Sequence, residues 1–115
     1  MKRGEVYWTG LVPRSGSGQT GRRPVILVSN DGFNQAPGWR SVIVVPISTS
    51  SSLGGRAPTV IELAGGTAGL PRKSFAVCHQ VTTLDRAKLT SRAGSLPSES
   101  LREVDEAIKA AMDLD

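Results

Sequence analysis

Cysteine, histidine and aromatic residues are scarce in this chain, and each scarcity removes a class of function. One cysteine, Cys78, excludes an intrachain disulfide, and one cysteine with one histidine, His79, cannot supply the four N/S ligands of a structural zinc site. We therefore expect a site that works without a protein-built zinc centre. The amino-terminal MKRGEV lacks the apolar core of a signal peptide. No apolar run approaches the roughly 18 to 20 residues of a spanning helix, so the reading is a cytoplasmic protein without a membrane segment. At 115 residues the chain suits one domain with a modest core and is too short for a cofactor domain plus a substrate domain.

Acidic residues are missing unevenly. The first 84 positions hold only Glu5, Asp31 and Glu62, against Lys2, Arg3, Arg14, Arg22, Arg23, Arg40, Arg56, Arg72 and Lys73, within a net charge of +4. Such a body suits a polyanion or an acidic protein segment. The plainer reading is a solubilising surface.

What the chain does have is a series of apolar runs of strand length. GEVYWTGLV (4–12), PVILVSN (24–30), SVIVVPIS (41–48), PTVIEL (58–63) and SFAVCHQVTTL (74–84) are rich in β-branched and aromatic residues and are separated by Gly, Pro, Asn and Ser. Pro46 points to an edge or a strand end. With no helix between successive strands, the pattern predicts an antiparallel barrel or compact sheet. From Ser98 onward Leu101, Val104, Ile108 and Met112 recur at helical spacing, which predicts an amphipathic helix over 98–113, capped by Ser98 and with Glu99 in its first turn.

One motif invites a specific test. Gly16-x-Gly18-x-x-Gly21 has the spacing of a dinucleotide cradle, but that chemistry needs a helix N-terminus after the third glycine. Here RRPVILV follows, a strand, and Arg22-Arg23 stands where a phosphate P-loop needs Lys-Ser/Thr. What remains is a glycine loop between strands, closed by two guanidiniums that match phosphate oxygens.

RGEVYW, GQTGRRPVILVSND, VIVVPIS and CHQVTTLD, in that order and over nearly the whole chain, resemble the toxins of toxin-antitoxin modules that include MazF, PemK and Kid. The resemblance implies a mainly β fold, an SH3-like β-barrel over 1–96 with a C-terminal helix, in a single toxin domain that forms a homodimer. It implies a sequence-specific, metal-independent endoribonuclease that cuts single-stranded RNA to 2′,3′-cyclic phosphate and 5′-hydroxyl ends. An acidic, MazE-like antitoxin is the implied protein partner.

Carried onto this chain, the resemblance places Arg23 after the glycine loop as the phosphate-stabilising residue. It puts Ser48, with Thr49 beside it, at the hydroxyl position after the V-P-x strand end. The carboxylate that some relatives carry in the fifth strand is here His79, followed by Gln80. His79 is read two ways, as the proton-transfer group opposite Arg23 or as a strand residue that contacts RNA or caps a carbonyl. Candidate RNA contacts are Glu5, Arg14, Gln19, Arg22, Asn34, Trp39, Arg56 and Gln80. Glu5 has the alternative of an ion pair with Arg3 or Lys2, and Trp39 that of packing on the barrel or a second subunit. Two competing functions are a catalytically weak binding module and a gyrase-directed toxin. The second is disfavoured by the absence of any aromatic residue after Phe75.

Overall fold

The computed structural model describes residues 1–11, 21–50 and 58–115. Among them are seven strands: β1 Glu5–Leu11, β2 Gly21–Leu27, β3 Ser41–Ser48, β4 Val60–Leu63, β5 Ser74–Val77, β6 Thr82–Asp85 and β7 Leu89–Ser95. There are also two helices, the single turn α1 Asp31–Asn34 and the long α2 Ser98–Met112. Every strand pairing is antiparallel. The order is β4-β5-β3-β2-β1-β7, with β6 also on β3.

β2 and β3 are buried on both faces, which is why they read as continuous apolar runs. Ile26, Val28, Val45 and Ile47 point into a core shared with Val6, Leu63, Leu70, Ala76, Leu96, and Val104 and Ala107 of α2. Val25, Leu27, Val42 and Val44 point the other way, against Leu89, Tyr7 and Leu84. Pro46 is therefore not on an edge strand. It pairs with Val25 of β2, and on the other side of β3 it falls in the interval between the β5 partners Ile47–Ser48 and the β6 partners Ser41–Val44, where no ladder N–H is required.

Three expectations change. The run 74–84 is two strands, because the chain leaves β3 after Val77, makes a 3₁₀ turn at Cys78–Gln80, and rejoins β3 at Thr82. β7, LTSRAGS, is a strand that the polar sequence conceals; it exists by pairing with β1. Ser98 is the first helical residue of α2 and not its cap: Pro97, at φ −58° and ψ 150°, holds the capping position without a side-chain bond. Glu99 does lie in the first turn, while Met112 is half exposed and Ala107 takes its place in the core. No described helix is long and apolar enough to cross a membrane.

Among the described residues the sheet does not close by hydrogen bonds. The ends of its strand path are β4 and β7, and the gap between them is filled by the 3₁₀ turn Thr67–Gly69 that follows β4 and packs on β7. The approach is so close that a Cβ on Gly69 would lie 2.1 Å from the Ala93 carbonyl oxygen, and one on Gly94 2.5 Å from the Ala68 carbonyl carbon.

Side-chain bonds fasten the ends. Arg3 pairs with Asp105 of α2 and donates through Nε to the Val28 carbonyl at 3.0 Å. Glu5, 8% exposed, accepts from the Lys2 backbone N–H and the Tyr7 hydroxyl, each at 2.7 Å, and from Arg92 Nη1 at 2.8 Å. Its ion-pair partner is thus Arg92, not Arg3 or the Lys2 ammonium. Burial alone would raise the Glu5 carboxyl, but the bonds from Lys2, Tyr7 and Arg92 outweigh it and hold the pKa below its ordinary 4.5. Burial and the same carboxylate push the Tyr7 phenol up to about 12.

A carboxyl whose folded pKa is depressed stabilises the fold fully above its ordinary value of 4.5 and loses that contribution as pH falls through the lower folded value. We expect Glu5→Gln to cost about 1 to 3 kcal/mol at neutral pH. It should also flatten the decline in urea midpoint below pH 4.5 relative to wild type. Parallel declines in the two proteins would show that Glu5 does not contribute to the acid limb.

Candidate active site

The antiparallel register brings two of the proposed residues together. The β2–β3 ladder runs to Val25 and Pro46, and Arg23 and Ser48, each two residues further toward the end of its strand, line one cavity. On the other side of β3, Ser48 pairs with Phe75. A cavity of about 440 Å³ opens at this end of the strands. Its β2 wall is Arg22, Arg23 and Pro24, its β3 wall Ile47 and Ser48 continuing into Thr49 and Ser50, and Trp8 enters from β1. The segment before β5 completes it with Leu70, Pro71, Arg72 and Ser74.

The chemistry of this cavity is cationic and hydroxylic. Arg22, Arg23 and Arg72 bring three guanidiniums, and among the described residues none of them has a carboxylate partner. Ser48, Thr49, Ser50 and Ser74 bring hydroxyls; Ser48 Oγ accepts from the Ser50 N–H at 3.1 Å, and Ser74 Oγ donates to the Arg72 carbonyl at 2.9 Å. No Asp, Glu or His lines the cavity. Residues 12–20 and 51–57, which in the chain adjoin β2 and Thr49–Ser50, contain none either. Such a set holds a phosphate and stabilises charge growing on it.

Several proposed residues stand elsewhere. His79 and Gln80 lie exposed on the turn between β5 and β6; His79 Nδ1 is 2.9 Å from Thr59 Oγ1, and neither residue lines the cavity. Glu5 is buried in its own network and does not line the cavity. Asn34, 1% exposed, is not available to a base: its Nδ2 donates to the Ser29 carbonyl at 2.8 Å and to Asp31 at 3.0 Å. Trp39 is exposed and stacks on Phe33 at 4.8 Å, in the connection between β2 and β3. That places it at the other end of the strand pair, at least four residues or roughly 13 Å of strand from Arg23. Arg14, Gln19 and Arg56 lie outside the described residues, as do Gly16 and Gly18; β2, not a helix, follows Gly21.

Trp8, Ser50, Arg72 and Ser74 are aromatic or polar cavity residues that sequence reasoning passed over. Trp8 was legible only as a strand aromatic, yet register places it opposite Pro24, beside the arginines. Arg72 belongs to the turn signal AGGTAGLPRK, where its basic character counted toward net charge and nothing more.

With this geometry in view, the comparisons with known proteins decide the family. Residues 2–112 match the family described as PemK-like, MazF-like toxin of type II toxin-antitoxin system. The chain belongs to this toxin family. It is 32% identical over 114 residues to endoribonuclease MazF6 of Mycobacterium tuberculosis, covering 99% of this chain and 98% of that protein. Endoribonuclease EndoA of Bacillus subtilis is also 32% identical, with 99% and 96% covered. Among solved structures, Mycobacterium tuberculosis toxin MazF-mt6 superposes with a TM-score of 0.77 at 24% identity, covering 96% of this chain and 98% of that one. An endoribonuclease in complex with its cognate antitoxin, from a mycobacterial species, gives 0.76 at 21% identity, with 98% and 95% covered. At these identities the superpositions establish the toxin fold.

The cavity wall formed by Leu70, Pro71 and Arg72 rests on the Gly69–Ala93 contact. Gly69→Ala, which combines a steric clash with φ +78°, is expected to cost at least about 2 kcal/mol in urea denaturation. Gly66→Ala shares the positive φ, at +91°, but meets nothing within 4 Å, and should cost less. Equal losses would mean that backbone conformation, not the close approach to β7, fixes this wall.

Proposed function

We propose that this chain is an endoribonuclease toxin that cuts single-stranded RNA at the cavity at the end of β2 and β3. The observation that carries this reading is the convergence of three guanidiniums and four hydroxyls, without a carboxylate, in a chain whose family relatives are named endoribonucleases.

The reaction is an internal transfer. The 2′-oxygen attacks phosphorus as its proton departs, the bond from phosphorus to the 5′-oxygen breaks, and that oxygen takes up a proton, leaving a 2′,3′-cyclic phosphate and a 5′-hydroxyl. Charge builds on the non-bridging oxygens in the transition state, where fixed guanidinium donors count most. Arg23, half-buried and lining the cavity with Ser48, is the residue for that task. Ser48 and Thr49 orient the phosphate through hydroxyl donors. Guanidinium does not lose its proton near neutral pH, so Arg23 stabilises charge and does not act as a base. His79 does not line the cavity, so acceleration rests on electrostatics and positioning, without a metal or cofactor step.

The protein partners follow from two further surfaces. A carboxylate-rich antitoxin segment would meet in the cavity the same guanidiniums that RNA meets. The groove lined by Val28, Ile43, Val81, Ile108 and Met112 leaves Ile43 and Met112 exposed along α2, and a second copy of the chain covers it in a homodimer. Cytoplasmic placement belongs to the same reading, since cellular RNA is the substrate.

The test is incubation of antitoxin-free protein, with EDTA, with a long single-stranded RNA, followed by mapping of cut sites and end groups. We expect discrete cuts with cyclic-phosphate ends. Arg23→Ala should lose about 10²- to 10³-fold in rate. His79→Ala should fall much less than the ~10²-fold typical of a general acid or base. A loss at His79 as large as at Arg23 would restore the imidazole as the proton-transfer group, reached through another subunit. No cutting of any RNA by the wild type would replace the enzyme reading with that of a binding module.

A further inference from the structure

Arg22 is held in an arrangement that the phosphate chemistry alone does not explain. Its Cζ lies 5.1 Å from the centroid of the Trp8 ring, over the ring face, and its Nη1 donates weakly to Ser91 Oγ at 3.4 Å. Trp8 is half-buried on β1 opposite Pro24, and Arg22 is two residues along β2 from Pro24, on the same side of the sheet. The indole ring thus carries a guanidinium over its face, in the cavity that Arg23 and Ser48 also line.

We propose that Trp8 is the stacking floor for the nucleobase next to the phosphate held by Arg23, and that Arg22 is its displaceable cover. The proposal rests on the endoribonuclease reading for its substrate and adds the residue that seats a base.

The relative strengths support it. An exposed cation–π contact is worth about 2- to 5-fold in an equilibrium, whereas stacking of a nucleobase on an aromatic side chain is worth about 5- to 150-fold. A base therefore wins the ring face from Arg22. The guanidinium has no carboxylate among the described residues to hold it back, so once displaced it can lie on the outer face of the base or turn to a phosphate. Its departure also frees the Ser91 hydroxyl, which stands beside the ring to meet a base edge. In the free chain the cation shields an aromatic face that would otherwise be open to water.

The experiment uses fluorescence of Trp8, isolated by Trp39→Phe, which removes the other of the two indoles. The probe is a short single-stranded RNA with 2′-deoxy sugars at the cut positions found in the cleavage assay, or throughout if no cut is found, labelled for anisotropy. We expect saturable quenching of Trp8. One abasic position in the probe should abolish the quenching and weaken binding about 5- to 150-fold, while abasic sites elsewhere do so less. Trp8→Leu should raise KM for cleavage over the same range with a smaller change in kcat, and Trp8→Phe should recover part of the loss.

Binding seen by anisotropy with no change in Trp8 emission and no abasic position that matters would overturn the base slot while leaving the ribonuclease reading intact. Quenching without cleavage of any RNA by wild type would keep the slot and remove the ribonuclease. Neither binding nor cleavage would remove both. Since the optical readout uses the native Trp8, a poorly folding Trp8→Leu protein does not protect the proposal.

Discussion

The pairing of β2 with β3 is the constraint on which the rest depends. Both strands are buried on both faces, so Val25, Leu27, Val42 and Val44 serve one core and Ile26, Val45 and Ile47 the other. A slip of one residue would exchange the two sets and expose neither to water, so the register gains its definition from shape complementarity in two cores at once and from Pro46, which fits only where β3 needs no ladder donor. The same strand pair ends at the cavity that Arg23 and Ser48 line. The chemical end of the molecule inherits its geometry from packing that lies outside it.

Charge is distributed to suit this division. Arg22, Arg23 and Arg72 gather at the cavity, whereas Arg3 is drawn to Asp105, Arg92 to Glu5, Arg40 to Asp85 and Lys109 to Glu106. Three of these four acids lie after residue 84, and none of the four pairs reaches the cavity. Its cations, like Lys2, Lys73, Arg86, Lys88 and Arg102, have no carboxylate partner among the described residues, so a ligand that brings its own negative charge meets them unneutralised.

What the sequence discloses and what it hides follow from the same physics. SVIVVPIS and PVILV announce themselves because double burial demands apolar residues without interruption, and α2 does so through one buried stripe. β7 is hidden because an edge strand with exposed Thr90, Ser91 and Arg92 needs only Leu89 and a few small residues inside. The break at Cys78–Gln80 is hidden because no Gly or Pro marks it and β-branched residues resume directly after it at Val81–Thr83; the turn is imposed by how β3 divides its edge between two partners. Among site residues, Arg23 and Ser48 were legible because each stands at the end of a recognisable strand. Trp8 and Arg72 reach the same cavity through cross-strand register and a packed turn, neither of which local sequence records. His79 has a residue type that suits catalysis, at a position that the fold turns outward.

The turn at Thr67–Gly69 fills the space between β4 and β7 by packing and not by a strand ladder. The abutment of Gly69 on Ala93 forbids closer approach, while Leu70, 1% exposed in the core, and the apolar contacts of Ala68 resist separation. The wall that carries Leu70, Pro71 and Arg72 is thus held from both sides, and the width of the cavity is set by a side chain that belongs to the core.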